Sequence, residues 1–290
     1  MHHALINILQ LIFEPTFIYD SYASRKGKGN LPALKRFDRF LHKVSKNGRL
    51  VFNARDSNQI QGFAFKVDIK HYFDTIDHEV LLGIIRRRIK GEDILWLIQK
   101  ILANHHTGTS GKGMPLGNWT SQFFANIYLN ELDQFVKHKL KARYYIRYVD
   151  DFIILRHNRV RLQEYEQRVS QFLHTLKLEL HPTKCKIIPL ERGTTLLGFR
   201  IFYHYKRVRQ RNIRKIMEKC RHLFESCEHK EVDHQMVLDV FQGWNAYAAH
   251  GNTYRPCQRL KGEITKELEI RTIRRKEYQM KFTPTSSLCQ

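Results

Sequence analysis

Acidic residues are scarce: 28 Asp and Glu stand against 50 Lys and Arg in 290 residues, leaving a formal charge of +22. That excess is far more than solubility needs, so it points to a polyanionic partner, nucleic acid ahead of a membrane surface. No apolar run reaches the ~18 residues of a spanning helix. The opening MHHALINILQLIF also lacks the charged leader and small-residue cleavage site of a secreted chain. The sequence therefore reads as cytoplasmic, with no membrane. The five cysteines (Cys185, Cys220, Cys227, Cys257, Cys289) are odd in number and form no C-x-x-C pair, which argues against a disulfide framework and a zinc site. Histidines are more numerous, but His2-His3 and His105-His106 are adjacent pairs without H-x-x-x-H spacing, as expected of solvated or packed side chains. Repeats and low-complexity segments are absent. The apolar content of 42% suffices for one sizeable core or two small ones.

What remains is a mixed pattern of helices and strands. Residues 4–17 are apolar and predict a helix running into SYASRKGKGN, where glycines alternate with cations as in a loop that meets phosphate. Residues 31–47 carry Leu34, Phe37, Phe40 and Leu41 at helical spacing between basic residues. GFAFKVDIK is an apolar strand ending at an acid, and Asp77 is placed to cap a helix of Val80, Leu81, Ile84 and Ile85. A helix over 93–102, the Gly-rich turn HHTGTSGKGMPLGN and the apolar helix SQFFANIYLNELDQFVKHKL follow. YYIRYVDDFIIL reads as a hairpin with Asp150 and Asp151 at its turn. A helix over 161–176, strands in LKLELHPTKCKII and TTLLGFRIF, and a strongly basic helical tail beyond Tyr205 complete the chain. The order is α+β rather than a βαβ series. It divides into residues 1–60, a sheet-bearing region 61–205 and a helical region 206–290.

The chemistry concentrates in three carboxylates: Asp68 at the end of FKVDI, and Asp150 with Asp151 in YVDD. Hard oxygen ligands on adjacent backbone elements are what a pair of Mg²⁺ ions, about 3.5 to 4 Å apart, requires to stabilise the attacking and leaving oxygens of a phosphoryl transfer. An isolated Asp-Asp pair is ordinarily a solvated turn. Here apolar runs on both sides hold the two carboxylates close together, which is costly without a cation.

F-x-V-D-I-K-x-Y-F-D-T-I-D-H, G-M-P-L-G-N-x-T-S-Q-F-F-A-N-I-Y-L, Y-V-D-D and L-L-G-F occur in the order of the reverse transcriptase sequence blocks. The chain resembles that family over about residues 4–200 by motif, and beyond that only in its basic character. The resemblance implies a right-hand polymerase with an antiparallel palm sheet over 61–205, a finger insertion near 100–125, partial fingers over 1–60 and a basic helical thumb over 206–290. It implies catalytic roles for Asp68, Asp150 and Asp151, which with Ile69 would surround two Mg²⁺ ions. Lys184 would donate a proton to the pyrophosphate leaving group, although a surface lysine is equally natural in so basic a chain. Phe73 would lie beneath the sugar and exclude a 2′-hydroxyl, with Tyr72, Leu116, Gly117 and Gln122 around the nucleotide. A core phenylalanine fits that position equally well. Arg25, Lys26, Lys28, Tyr148, Leu197, Gly198 and Phe199 would contact primer and template. Trp244 reads as core beneath a thumb surface meeting the minor groove of the hybrid.

Where most reverse transcriptases read Q-G-x-x-x-S-P, this chain reads Leu116-Gly117-Asn118-Trp119-Thr120-Ser121-Gln122. That pattern resembles the enzymes of diversity-generating retroelements, which copy a template repeat with errors concentrated at adenines. Loss of the first side-chain amide removes one hydrogen bond to the incoming pair, so mispairs should be rejected less strongly. The implied partners are an RNA template, a DNA or RNA primer, dNTPs and a small basic accessory protein. The resemblance also implies a longer fingers region before the H-H-A-L-I segment, so the expectation is that the start is truncated or misassigned, or that a partner supplies those contacts. The competing expectations are a group II intron or retron enzyme, and a non-catalytic nucleic-acid-binding relative.

Overall fold

The computed structural model describes residues 2–104, 110–115, 118–228 and 233–282. Leu116, Gly117, His105, His106 and Cys289 lie outside the described residues. Internal contacts divide the chain into two units, Met1–Leu197 with Phe202–His204, and Gly198–Ile201 with Tyr205–Gln290. No division falls near residue 60. Among the described residues no helix is long and apolar enough to cross a membrane.

The first unit opens with α1 (His2–Phe13), which buries Leu5, Ile6, Leu9 and Phe13 along one stripe. Helix α2 (Asn30–Val44) likewise buries Leu34, Phe37, Phe40 and Leu41 and leaves Lys35, Arg39 and Lys43 outward. Strand β1 (Phe63–Val67) leads to the single turn α3 (Tyr72–Thr75) and to α4 (His78–Arg86). One Asp77 oxygen caps α4 by accepting the Val80 N–H at 3.0 Å, and the other accepts Lys177 Nζ at 2.7 Å. Helices α5 (Glu92–Ala103) and α6 (Trp119–Gln134) follow. Helix α6 is buried along nearly its whole length, and the chain beyond it relaxes into a π-helical turn, Phe135–Lys139, where periodicity predicts continuous α-helix.

The hairpin pairs β2 (Tyr145–Tyr148) with β3 (Asp151–Arg156), so the turn is Val149-Asp150 and Asp151 begins a strand. Helix α7 (Arg159–Thr175), β4 (Lys186–Pro189) and β5 (Thr194–Leu196) complete this unit. LKLEL, which the sequence predicts as strand, contributes only an isolated bridge from Leu180 to Ile69. Pro182 supplies no donor and diverts the chain into a turn before β4.

The palm sheet has the order β2-β3-β1-β4, antiparallel throughout. Helix α7 packs on β1, β3 and β4, while α2 packs on β2 and β3. Phe65, Ile85, Phe124, Tyr128, Phe152 and Leu173 belong to one continuous core. Register positions the chemistry: Val67 pairs with Phe152, so one step further brings Asp68 alongside Asp151.

The second unit holds a β6 (Phe199–Ile201) and β7 (Lys206–Val208) hairpin and helices α8 (Gln210–Glu228), α9 (His234–Ala248) and α10 (Tyr254–Phe282). Ile216, Cys220 and Phe224 form the apolar stripe of α8 and pack with Val237, Phe241, Leu260 and Ile264, with Trp244 partly buried against them. The opposite face of α8 exposes Arg211, Arg214, Lys215, Lys219 and Arg221. The sequence places the boundary at residue 205, but Gly198–Ile201 belong to the helical unit. The Gly198 carbonyl accepts the Arg209 N–H at 3.0 Å, and the Phe199 ring lies 4.8 Å from that of Tyr247.

Candidate active site

Each carboxylate sits where a strand ends. Asp68 follows β1, and its backbone carbonyl accepts the His181 N–H at 2.9 Å and faces the Cys185 thiol at 3.4 Å. Lys184 Nζ donates to Asp68 Oδ1 at 3.2 Å, and Lys66 Nζ stands 3.8 Å from Asp151 Oδ1. Val149, at the turn, has φ 55, a left-handed conformation that a β-branched residue rarely adopts. Burial pushes the Asp150 carboxyl up to about 6; its own backbone N–H opposes this, Asp151 and Asp68 add to it, and Lys184 opposes it. Burial, with Asp151 and Asp68 nearby, thus disfavours the ionised Asp150, a cost that a cation would relieve.

Hard oxygen donors on two adjoining backbone elements suit a divalent metal in their chemistry. Among the described residues no three His, Cys, Asp or Glu side chains converge closely enough to hold an ion as they stand. Two lysines partly neutralise the acids instead. Ile69 is buried beside Asp68 and bridged to Leu180.

Of the residues expected around the nucleotide, Tyr72 proves to be interior. It is 2% exposed, and its hydroxyl donates to the Ala125 carbonyl at 2.8 Å, so its side chain props α3 against α6 within the core. Phe73 is partly buried, with its ring edge-on to Tyr72 at 5.3 Å. Its carbonyl accepts the Met114 N–H, and the Ile76 carbonyl accepts the Gly113 N–H, both at 2.8 Å. The strand-to-helix turn after Asp68 therefore anchors the segment leading toward Leu116. Gln122 accepts a hydrogen bond from Ser24 Oγ at 2.5 Å.

The basic loop divides. Arg25, expected to line the template channel, is folded inward: it donates to Glu14 at 2.7 Å and to the carbonyls of Ile18 and Ser21 at 2.7 and 2.9 Å. Lys28 donates to the Tyr19 carbonyl at 2.9 Å and lies 3.4 Å above the Tyr19 ring. Lys26 is exposed. Tyr148 is half-buried, with its phenol pushed up by desolvation. Leu197 and Gly198 both have positive φ, 48 and 83, and a Cβ on Gly198 would collide with the Tyr247 hydroxyl and the Asn212 amide. Phe199 is fully buried in the second unit.

Sequence reasoning misses the polar network behind the turn. Arg147, Asp133 and Asn126 are all buried, and Arg147 donates to both of the others. The signal is present in α6, where Asn126, Asn130 and Asp133 recur at i, i+4 and i+7 within an otherwise apolar helix.

An antiparallel palm sheet, packed by helices and presenting three carboxylates at one end, defines the right-hand polymerase fold. The chain belongs to the reverse transcriptase (RNA-dependent DNA polymerase) family, whose profile matches residues 1–201; domains of this family generally use divalent metal ions. It is 25% identical to Protein YkfC of Escherichia coli (strain K12) over 240 residues, covering 69% of this chain and 60% of that protein. It is 27% identical to the group II intron-encoded protein LtrA of Lactococcus lactis subsp. cremoris over 262 residues, covering 67% of this chain and 41% of that one. Among solved structures, apo telomerase from Candida tropicalis superposes with a TM-score of 0.52 at 17% identity, covering 70% of this chain and 40% of that one, a likeness of fold. The chain thus spans between two-fifths and three-fifths of the length of these relatives.

Proposed function

We propose that the chain is an RNA-directed DNA polymerase that extends a DNA or RNA primer on an RNA template, with Asp68, Asp150 and Asp151 as ligands for two Mg²⁺ ions. The observation that carries this reading is the strand register that sets Asp68 alongside Asp151, next to the Val149-Asp150 turn. These carboxylates would hold the ions, which would supply charge stabilisation for the oxygens of nucleotidyl transfer. Lys184 then supplies a proton to the departing pyrophosphate once its contact with Asp68 is released. Phe73 closes the space beneath the sugar and favours dNTPs. The exposed cations of α8 bind hybrid phosphates as a thumb. The region over 61–205 acts as palm and residues 1–60 as partial fingers. Primer extension with Asp150→Asn tests the assignment: extension should vanish while template binding persists, because one ligand is lost and the basic surface is not. Extension at the wild-type rate would refute it.

The finer reading is mutagenic copying of the diversity-generating type, with cDNA replacing a variable repeat in a target gene and a small basic accessory protein as partner. It is supported by the aliphatic Leu116 and the Ser121-Gln122 pair. Leu116→Gln should lower errors opposite template adenines more than opposite other bases; a lost contact of about 1 to 3 kcal/mol corresponds to roughly 10- to 200-fold in selectivity. Equal adenine error rates in sequenced cDNA would remove this support. A group II intron type of enzyme is the second reading, favoured by the likeness to LtrA. It predicts an even error spectrum in the wild-type protein.

A further inference from the structure

Arg147 lies three residues before Asp150, and its side chain and that of Asp133 are both 0% exposed. Its guanidinium forks onto Asp133, with Nε 2.8 Å from Oδ1 and Nη2 2.6 Å from Oδ2. The Tyr145 hydroxyl donates to the same carboxylate at 2.5 Å. The remaining nitrogen, Nη1, donates in two directions, to Asn126 Oδ1 at 3.0 Å and to the Val149 carbonyl at 2.9 Å. A buried ion pair adds little net stability, because desolvation offsets the attraction. Contact with the carbonyl at the very turn that carries the aspartates gives this one a different task.

The Val149 carbonyl and the Asp150 N–H belong to one planar trans peptide and point in opposite directions. A carbonyl held inward on the guanidinium therefore aims the Asp150 N–H outward. The same hold keeps Val149 at a φ of 55, which its branched side chain resists. Asn126 extends the connection: its Nδ2 donates to the Ala23 carbonyl at 2.9 Å, beside Ser24, which donates to Gln122. Strand β2 is tied to the same segment, since the Arg147 N–H donates to the Asp20 carbonyl and the Tyr22 N–H to the Arg147 carbonyl, both at 3.0 Å.

We infer that Arg147, braced by Asp133 and Asn126, is a positioning residue that holds the Val149-Asp150 peptide so that the Asp150 carboxylate stays at the end of the sheet that carries Asp68 and Asp151. The same bonds tie the carboxylate turn to the 20–24 segment. The inference rests on the catalytic reading of Asp150 and adds to it the group that keeps an otherwise disfavoured turn in place.

Arg147→Lys tests it, because lysine keeps a charge opposite Asp133 but cannot reach three acceptors at once. Two readouts are taken on the full chain, Tb³⁺ luminescence titration without nucleotide, and primer extension resolved into kcat and KM. Residues that orient metal ligands typically contribute 10- to 100-fold in affinity or activity. Arg147→Lys should therefore weaken Tb³⁺ binding and lower kcat by about tenfold or more, with the KM for dNTP within about twofold. A lowered melting temperature with wild-type Tb³⁺ affinity and wild-type kcat per folded molecule would overturn the clamp, since a merely structural role predicts that result. If circular dichroism shows Arg147→Lys unfolded, Asn126→Ala decides, because it leaves the Asp133 fork whole. Several-fold weaker Tb³⁺ binding by Asn126→Ala supports the clamp, and unchanged binding overturns it. Asp150→Asn separates the two readings. Wild-type Tb³⁺ affinity in that variant would overturn the catalytic assignment and the clamp with it. Affinity lost there but unchanged in Arg147→Lys would overturn the clamp alone.

Discussion

Asp150→Asn should stabilise the metal-free protein at the pH where it abolishes synthesis. Burial, Asp151 and Asp68 raise the Asp150 carboxyl from an ordinary 3.8 to about 6. At 1.36 kcal/mol per tenfold change in protonation, that displacement corresponds to about 3 kcal/mol, and partial exposure of the group reduces it to about 1 to 3 kcal/mol. Because the folded value lies above the unfolded one, the carboxyl favours folding while protonated. That contribution is complete below about pH 4 and lost as pH rises through about 6, above which the ionised group opposes folding. An asparagine carries no such charge. In EDTA at pH 8 the variant should therefore be more stable than the wild type, and the gain should shrink steadily toward pH 4. Urea denaturation followed by tryptophan fluorescence reports on this, since Trp96 and Trp119 lie in the same unit as the turn. A variant less stable at pH 8, or a gain that does not vary with pH, would refute the raised Asp150 carboxyl.

Asp133→Asn strands a buried guanidinium and should cost about 3 to 5 kcal/mol of stability, read as a lower urea midpoint. Gly198→Ala must adopt φ 83 against the Tyr247 hydroxyl and should destabilise the second unit by about 2 to 4 kcal/mol, seen in an earlier transition of Trp244 fluorescence. Phe73→Val should raise ribonucleotide incorporation relative to dNTPs by about tenfold or more, and unchanged sugar selectivity would make Phe73 a core residue only. Binding to an RNA/DNA hybrid should fall with salt at a log-log slope of roughly −0.7 to −0.9 per phosphate neutralised, and a flat response would exclude the +22 charge as the driving term.

Elements governed by neighbours along the chain are legible without coordinates. The stripe of α2, the Asp77 cap of α4 and the two strands around Val149-Asp150 follow from periods and caps that act over a few residues. The boundaries that shift are those where a distant partner intervenes. The π-helical turn after α6, the loss of strand at LKLEL and the transfer of Gly198–Ile201 to the helical unit each depend on packing or turn chemistry that periodicity does not register.

At the site, residue types and spacing single out Asp68, Asp150 and Asp151, because carboxylates flanked by apolar strands are conspicuous in a chain with so few acids. Which basic residues serve them is decided only in three dimensions. Lys184 and Asp68 are 116 residues apart and meet because β4 lies beside β1. Arg25, Arg147 and Lys26 are alike as residue types, yet the first is bound within its own loop, the second is sealed against Asp133, and the third faces solvent. A charge has no fixed place along a sequence, because its energy depends on the dielectric and the partners that folding supplies. The sequence by itself determined the ladder of elements and the acids at their ends; the tertiary structure decided which cations neutralise them and which one holds the turn.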